Sequence, residues 1–187
     1  MKTNWTTIYD DIKSCEKCEL SKSRTNVVIA DGNFRSHLML VGEGPGRDED
    51  LSGVPFVGAA GKLLDKMLLS IDLSRNMVYI ANIVKCRPPM NRNPLEAEAN
   101  ACLPYLRAQV ALVRPKIIVC LGATAAKYIF DPDVKITRDR GKFKQKQGTW
   151  IICTYHPAAL LRDPSKKREA YDDLLTIKQK CLELKLF

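Results

Sequence analysis

Long apolar runs are missing from this sequence. None approaches the roughly 20 residues needed to cross a bilayer, so no membrane span is expected. A secretory leader is missing as well. Met1-Lys2-Thr3-Asn4-Trp5 opens directly into a polar stretch, which predicts a cytoplasmic protein. The sequence has only two histidines, His37 and His156, so any imidazole chemistry falls to one of them. His37 precedes the first strand and reads as structural or solvated, whereas His156 closes a strand. The usual phosphate loops are absent too. The turn Gly42-Glu43-Gly44-Pro45-Gly46 is not followed by Gly-Lys-Ser/Thr, and Arg47 stands where a dinucleotide fingerprint needs another glycine. The next strand ends in Asn82, with no acid there to bind a ribose. No internal repeat and no low-complexity segment occurs.

What is present suits one globular domain with a real core. Of 187 residues, 45 % are apolar and 27 % charged, both ordinary values. Lysine and arginine outnumber acids by 30 to 21, giving +9. That surplus suits a polyanion such as nucleic acid, and equally a solvated basic surface. It concentrates in Lys135 to Lys146, with six bases and one acid, and in Arg162 to Arg168. Both runs flank the second candidate site.

Hydrophobic periodicity predicts a short helix over Thr6 to Lys13, a short strand at Val27-Val28-Ile29, and a turn at Asp31-Gly32-Asn33. A buried strand at Leu38 to Val41 ends in the glycine turn. Leu63, Leu64, Met67, Leu68 and Ile71 then lie on one helical face. Buried strands follow at Val78 to Val84, Lys116 to Gly122 and Thr149 to Tyr155, separated by helices. The helix from Leu95 to Leu112 contains Pro104, which is expected to kink or divide it. A short helix covers Ala123 to Phe130, and the last spans about Ser165 to Leu184. Alternating strands and helices predict an α/β fold, a parallel sheet with helices on both faces. Ligands in such sheets bind beyond the carboxyl ends of the strands.

Two constellations sit there. In the first, the glycine turn allows close backbone approach, Pro55-Phe56 delivers an aromatic plate, and Asn82 offers a donor and an acceptor together. That pair of groups suits the Watson–Crick edge of a pyrimidine; a strand-end cap is the plainer alternative. In the second, His156-Pro157 is followed by Ala158-Ala159-Leu160-Leu161-Arg162. Those leucines read either as core packing or as an apolar wedge for a base stack, with cations on phosphates nearby.

Seven cysteines without a leader argue against a disulfide framework. Cys15 and Cys18 form C-x2-C, and Cys86 and Cys102 follow with fifteen residues between them. Four such thiolates hold either an iron–sulfur cluster or zinc, and spacing alone does not choose. A thioredoxin-type pair is disfavoured because this C-x2-C does not follow a strand. Cys120 and Cys153 lie in apolar strands as small hydrophobes, and Cys181 reads as inert.

Taken together and in order, GEGPG (42–46), Pro55-Phe56, NIVKCRPP (82–89), HPAALLR (156–162) and the four spaced cysteines resemble the family 4, iron–sulfur uracil-DNA glycosylases. The resemblance runs from Cys15 to about Ser165. It implies one domain over 1–187, a three-layer α/β/α sandwich around a short, mainly parallel four-stranded sheet. It also implies a structural [4Fe–4S] cluster on Cys15, Cys18, Cys86 and Cys102. By the same resemblance Phe56 stacks on a flipped-out uracil, Asn82 reads its polar edge, and Glu43 and Gly44 lie against base and sugar. His156 faces the uracil O2, while Glu49 and Asn91 assist the reaction. Leu160 takes the wedge position and Arg162 contacts DNA. The substrate is uracil-containing DNA, single- or double-stranded, acted on by a monomer.

The sequence departs from related branches at two points. Gly44 stands where the best-known branch carries an aspartate, so no general base is evident in the first motif and leaving-group stabilisation must do most of the work. The stretch Ile136 to Lys142 has no histidine, so no covalent adduct with DNA is expected. Two other readings remain at this level: a non-catalytic metal-containing module that binds DNA or a repair partner, and a zinc-stabilised enzyme on free nucleotides.

Overall fold

The computed structural model describes residues 4–187. The opening Met1-Lys2-Thr3, part of the stretch from which a leader was judged absent, lies outside the described residues. In chain order the elements are α1 (Trp5–Lys13), α2 (Leu20–Ser23), β1 (Asp31–Gly32), β2 (Leu38–Gly42), α3 (Arg47–Ser52), α4 (Ala59–Leu69), β3 (Tyr79–Asn82) and α5 (Glu96–Val113). There follow β4 (Ile117–Leu121), α6 (Ala123–Ile129), α7 (Ile136–Asp139), β5 (Lys144–Lys146), β6 (Thr149–Thr154), α8 (Pro157–Arg162) and α9 (Lys167–Glu183).

Six strands form one sheet in the order β1-β3-β2-β4-β6-β5. The inner four are the predicted apolar strands and run parallel. Every residue of β2, β3 and β4 is buried, as expected where helices cover both faces of a parallel sheet. One face packs against α1, α5 and α6, with Met39, Val41, Tyr79 and Cys120 at its centre. The other packs against α4, α8 and α9, around Leu38, Leu40, Ile80 and Val119. This is the three-layer sandwich.

The sheet is wider than the four strands predicted. Two antiparallel edges were added that carry no apolar signal: β1 has two residues and β5 is the wholly exposed Lys144-Gln145-Lys146. Short, charged edges limit pairing with other chains. The strand expected at Val27-Val28-Ile29 is not one; pairing falls on Asp31-Gly32, the residues read as a turn. Pro104 does not divide α5, which runs unbroken over 18 residues. Cys102, Leu103, Tyr105 and Leu106 are buried around the proline, so packing offsets the lost hydrogen bond. Glu98 fixes the start of α5, accepting the Leu95 N–H at 2.7 Å and pairing with Arg92 at 2.7 Å.

Register sets the site. Gly42 lies opposite Asn82, and Leu121 opposite Thr154. The carboxyl ends of the parallel strands therefore stop along one edge, with Glu43, Gly122 and His156 just past it.

Candidate active site

Along that edge lies a cleft of about 730 Å³. It is lined by Glu43, Gly44, Glu49, Phe56, Asn82, Asn91, His156 and Arg162, eight residues singled out in the sequence. Leu160 is not among them. It is 1 % exposed and packs in the core beneath α8, whereas its neighbour Leu161 is 45 % exposed and lines the cleft. Leu160 thus takes the core-packing alternative, and Leu161 is the leucine of the pair that reaches the cleft. The sequence treated 157–162 as a loop; it is a helix with Pro157 at its first turn, and a helix turns adjacent leucines about 100° apart.

Glycine makes the close approaches possible. A Cβ on Gly42 would stand 2.5 Å from both Asn82 Oδ1 and Phe56 Cζ. Only a bare backbone admits the carboxamide and the ring together. Asn82 is 2 % exposed, and its Oδ1 is a buried acceptor with no partner among the described residues. Leaving such a group unpaired costs about 1–3 kcal/mol, which marks it as waiting for a donor.

Phe56 has a left-handed backbone, φ 56°, unusual for an aromatic residue. Arg75 holds it there, donating to the Phe56 carbonyl at 3.0 Å and also to the Pro55 carbonyl, while pairing with Asp31 and Asp65. Glu49 holds the same loop from the other side. One oxygen accepts the N–H groups of Val57 (2.9 Å) and Gly58 (2.8 Å), and the other accepts that of Gly46 (3.0 Å). The carboxylate thus joins the glycine turn to the start of α4.

His156 is the N-cap of α8. Its Nδ1 accepts the Ala158 N–H at 3.1 Å, which leaves the ring proton on Nε2. Burial pulls its pKa down to about 4, with Arg162 acting in the same direction and Glu49 against it. The imidazole is therefore neutral at physiological pH and offers one Nε2–H donor. Its ring stacks on Phe56, centroids 5.6 Å apart. Gly122, at φ 88°, backs it, since a Cβ there would lie 2.8 Å from His156 Cβ.

Sequence reasoning missed Thr124, whose hydroxyl donates to Glu43 from α6, and Tyr155, which lines the cleft. Gly122-Ala123-Thr124, a second strand-end glycine turn, was the available signal. Asn91 Oδ1 accepts from Arg87 Nε at 2.7 Å, and Met90 and Asn91 both have left-handed backbones. The basic run Lys135 to Lys146 is largely tied down within the chain. Arg138 pairs with Asp139, Arg140 with Asp173 and Glu169, and Lys144 with Asp131.

A second cavity, on the α5 side, is lined by Cys15, Cys18, Cys86 and Cys102 together with Arg24, Lys85 and Tyr105. Arg24 Nη1 donates to Cys86 Sγ at 3.3 Å and to the Cys15 carbonyl at 2.7 Å. Burial pushes the Cys102 thiol up to about 11 and raises that of Cys86, with Lys85 and Arg24 respectively opposing. Among the described residues no three His, Cys, Asp or Glu side chains meet closely enough to hold a single metal ion. Cys120, Cys153 and Cys181 are buried in the two cores. Among the described residues, no helix is long and apolar enough to cross a membrane.

Comparison with known proteins agrees with this geometry. The chain is 46 % identical over 183 residues to the type-4 uracil-DNA glycosylase of Archaeoglobus fulgidus, covering 93 % of this chain and 92 % of that protein. It is 44 % identical over 162 residues to the type-4 uracil-DNA glycosylase of Thermotoga maritima, covering 86 % and 84 %. The type-5 uracil-DNA glycosylase of Pyrobaculum aerophilum is 30 % identical over 146 residues, covering 69 % and 64 %. The profile described as the Uracil DNA glycosylase superfamily matches residues 29–175, and the chain belongs to that superfamily.

Proposed function

We propose that this chain is a DNA-repair hydrolase that draws uracil out of DNA and cleaves its N-glycosidic bond, leaving an abasic site. The observation that carries the reading is the pairing of two groups in one cleft: an unpartnered, buried Asn82 Oδ1 and a neutral His156 with a free Nε2–H. Uracil presents N3–H as a donor beside two carbonyl oxygens. Asn82 Oδ1 accepts N3–H, its amide donates to O4, and Phe56 stacks on the ring. Cytosine has an acceptor at N3 and would leave Oδ1 unpaired, so the same carboxamide discriminates.

In the reaction the C1′–N1 bond breaks and its electron pair leaves with the base. Negative charge spreads onto O2, where His156 Nε2–H donates. One such preorganised donor supplies on the order of 2.7–4 kcal/mol. Water then bonds to C1′ and gives its proton to solvent or to the departing base. With both oxygens taken by backbone N–H groups, Glu49 acts by holding the Phe56 loop rather than as a base. Asn91, its oxygen held by Arg87, has amide donors free to orient the water. Glu43, braced by Thr124, and the Gly44 backbone lie against base and sugar. Leu161 is the wedge, and Arg162 takes a phosphate.

The four cysteines fit a metal centre by donor type and by convergence from three segments. Four thiolates are the donor set of a [4Fe–4S] cluster, the centre the family resemblance implies, and equally of zinc. When bound, the group ties the Cys15–Cys18 loop to Cys86 and α5. In this reading the chain acts as a monomer, with one domain over 1–187. Seven cysteines with no disulfide among them suit a reducing compartment, consistent with the cytoplasm.

The test is a glycosylase assay on an end-labelled oligonucleotide with a single deoxyuridine, single- and double-stranded, followed by alkaline scission. Scission only at uracil is expected. Retention of the oligonucleotide without scission would replace the enzyme with the binding module.

A further inference from the structure

Among the described residues Lys85 is the most deeply buried charged side chain. Its side chain is 1 % exposed. Its Nζ donates to the Asn82 carbonyl at 2.8 Å and to Gln109 Oε1 at 2.7 Å, both of them neutral acceptors. Gln109 is itself wholly buried and fixed, its amide donating to the Ile29 carbonyl at 3.1 Å and to the Tyr79 hydroxyl at 3.0 Å. A fully buried ammonium is costly unless an opposite charge lies close. Lys85 lines the four-cysteine cavity, which makes the sulfurs the candidate counter-charges. Arg24 lines the same cavity and donates to Cys86 Sγ directly. Lys17 also lines it, but its ammonium sits over the Tyr105 ring.

Four thiolates around Zn²⁺, or around a [4Fe–4S]²⁺ core, leave about two negative charges in either case. Three cations line the site, and Lys85 and Arg24 are the two whose donors do not rest over an aromatic ring. We propose that Lys85 and Arg24 are the paired counter-charges of the four-cysteine centre, and that Lys85 makes the placement of Asn82 depend on that centre being filled. The centre then supports base reading by charge and position, without any electron transfer: the filled site holds the ammonium, and the ammonium holds the strand end that carries Asn82. Empty the site, and Lys85 loses its counter-charge together with the reason to stay in its two hydrogen bonds. This inference rests on the cysteines holding a metal centre.

The experiment compares the purified full chain with Lys85→Met and Arg24→Gln. Iron, sulfide and zinc per chain are counted, loss of the centre to a chelator or oxidant is timed, and amide hydrogen exchange over 79–84 is followed with and without metal. Both variants should hold the metal about 10- to 100-fold more weakly, the usual effect of removing an outer-shell partner, and lose it faster to the chelator. If the centre is an iron–sulfur cluster, its reduction potential should move to more negative values in both. Metal removal should speed exchange over 79–84 in the parent chain. In Lys85→Met that increment should vanish, and in Arg24→Gln it should persist. A parent chain without metal would overturn the metal reading itself. Metal retained equally by all three chains, at equal potential, would overturn the counter-charge role alone. Exchange over 79–84 indifferent to metal in the parent chain would overturn the link to Asn82, even if Lys85→Met failed to fold.

Discussion

Asn82 is kept in a state that costs stability, and His156 in one that costs stability only as the pH falls. In the unfolded chain the imidazole titrates near its ordinary 6.5, and in the fold at about 4. Between those values the unfolded chain binds more protons, so the stability present above 6.5 is lost as pH falls toward 4. The full span corresponds to about 3 kcal/mol. Urea titrations near neutrality and again at mildly acidic pH should show a larger loss in the parent chain than in His156→Gln. The rate of uracil release should stay flat from about pH 8 to 6, because the donor is already neutral; an inflection near 6.5 would mean a charged imidazole. Asn82→Leu removes the orphaned acceptor at similar volume. It should stabilise the fold by about 1 kcal/mol while abolishing discrimination for uracil, and unchanged selectivity would remove Asn82 from base reading.

At the level of elements, the loop between α3 and α4 carries Phe56 under backbone strain, held by Arg75 and Glu49. Gly61 on α4 is part of that arrangement. An added Cβ would lie 1.8 Å from the Phe56 carbonyl oxygen and 2.7 Å from its Cα, and backbone atoms cannot swing aside. Gly61→Ala should therefore cost about 1–3 kcal/mol and lower kcat/KM by displacing the ring. Wild-type kcat/KM in that variant would show that the ring's position is set elsewhere. Helix α8 decides the wedge. Leu161→Ala should slow excision from duplex more than from single strands, since only the duplex must be held open, whereas Leu160→Ala should chiefly destabilise the core. Equal losses on both substrates for Leu161→Ala would count against a wedge.

Across the whole molecule, a charge of +9 overstates the surface offered to DNA. Much of the run 135–146 pairs with Asp131, Asp139, Glu169 and Asp173, whereas Arg162 borders the cleft. Removing one phosphate contact lowers the slope of log K against log salt by about 0.9 on duplex DNA. Arg162→Ala should do so and Lys144→Gln should not; the reverse pattern would put DNA across β5. By itself the sequence determined the four parallel strands and their helical layers, and it pointed to Phe56, Asn82 and His156 at the strand ends, whereas Glu43, Glu49 and Asn91 were named through the family resemblance. Apolar periodicity and glycine turns are local signals, and the strand ends of such a sheet must gather along one edge. Tertiary structure alone decided the short charged edge strands, the unbroken α5 and the burial of Leu160 behind Leu161, because each depends on which neighbour covers a residue. The same holds for Lys85, whose meaning comes from Asn82, Gln109 and four cysteines that only the folded chain brings together.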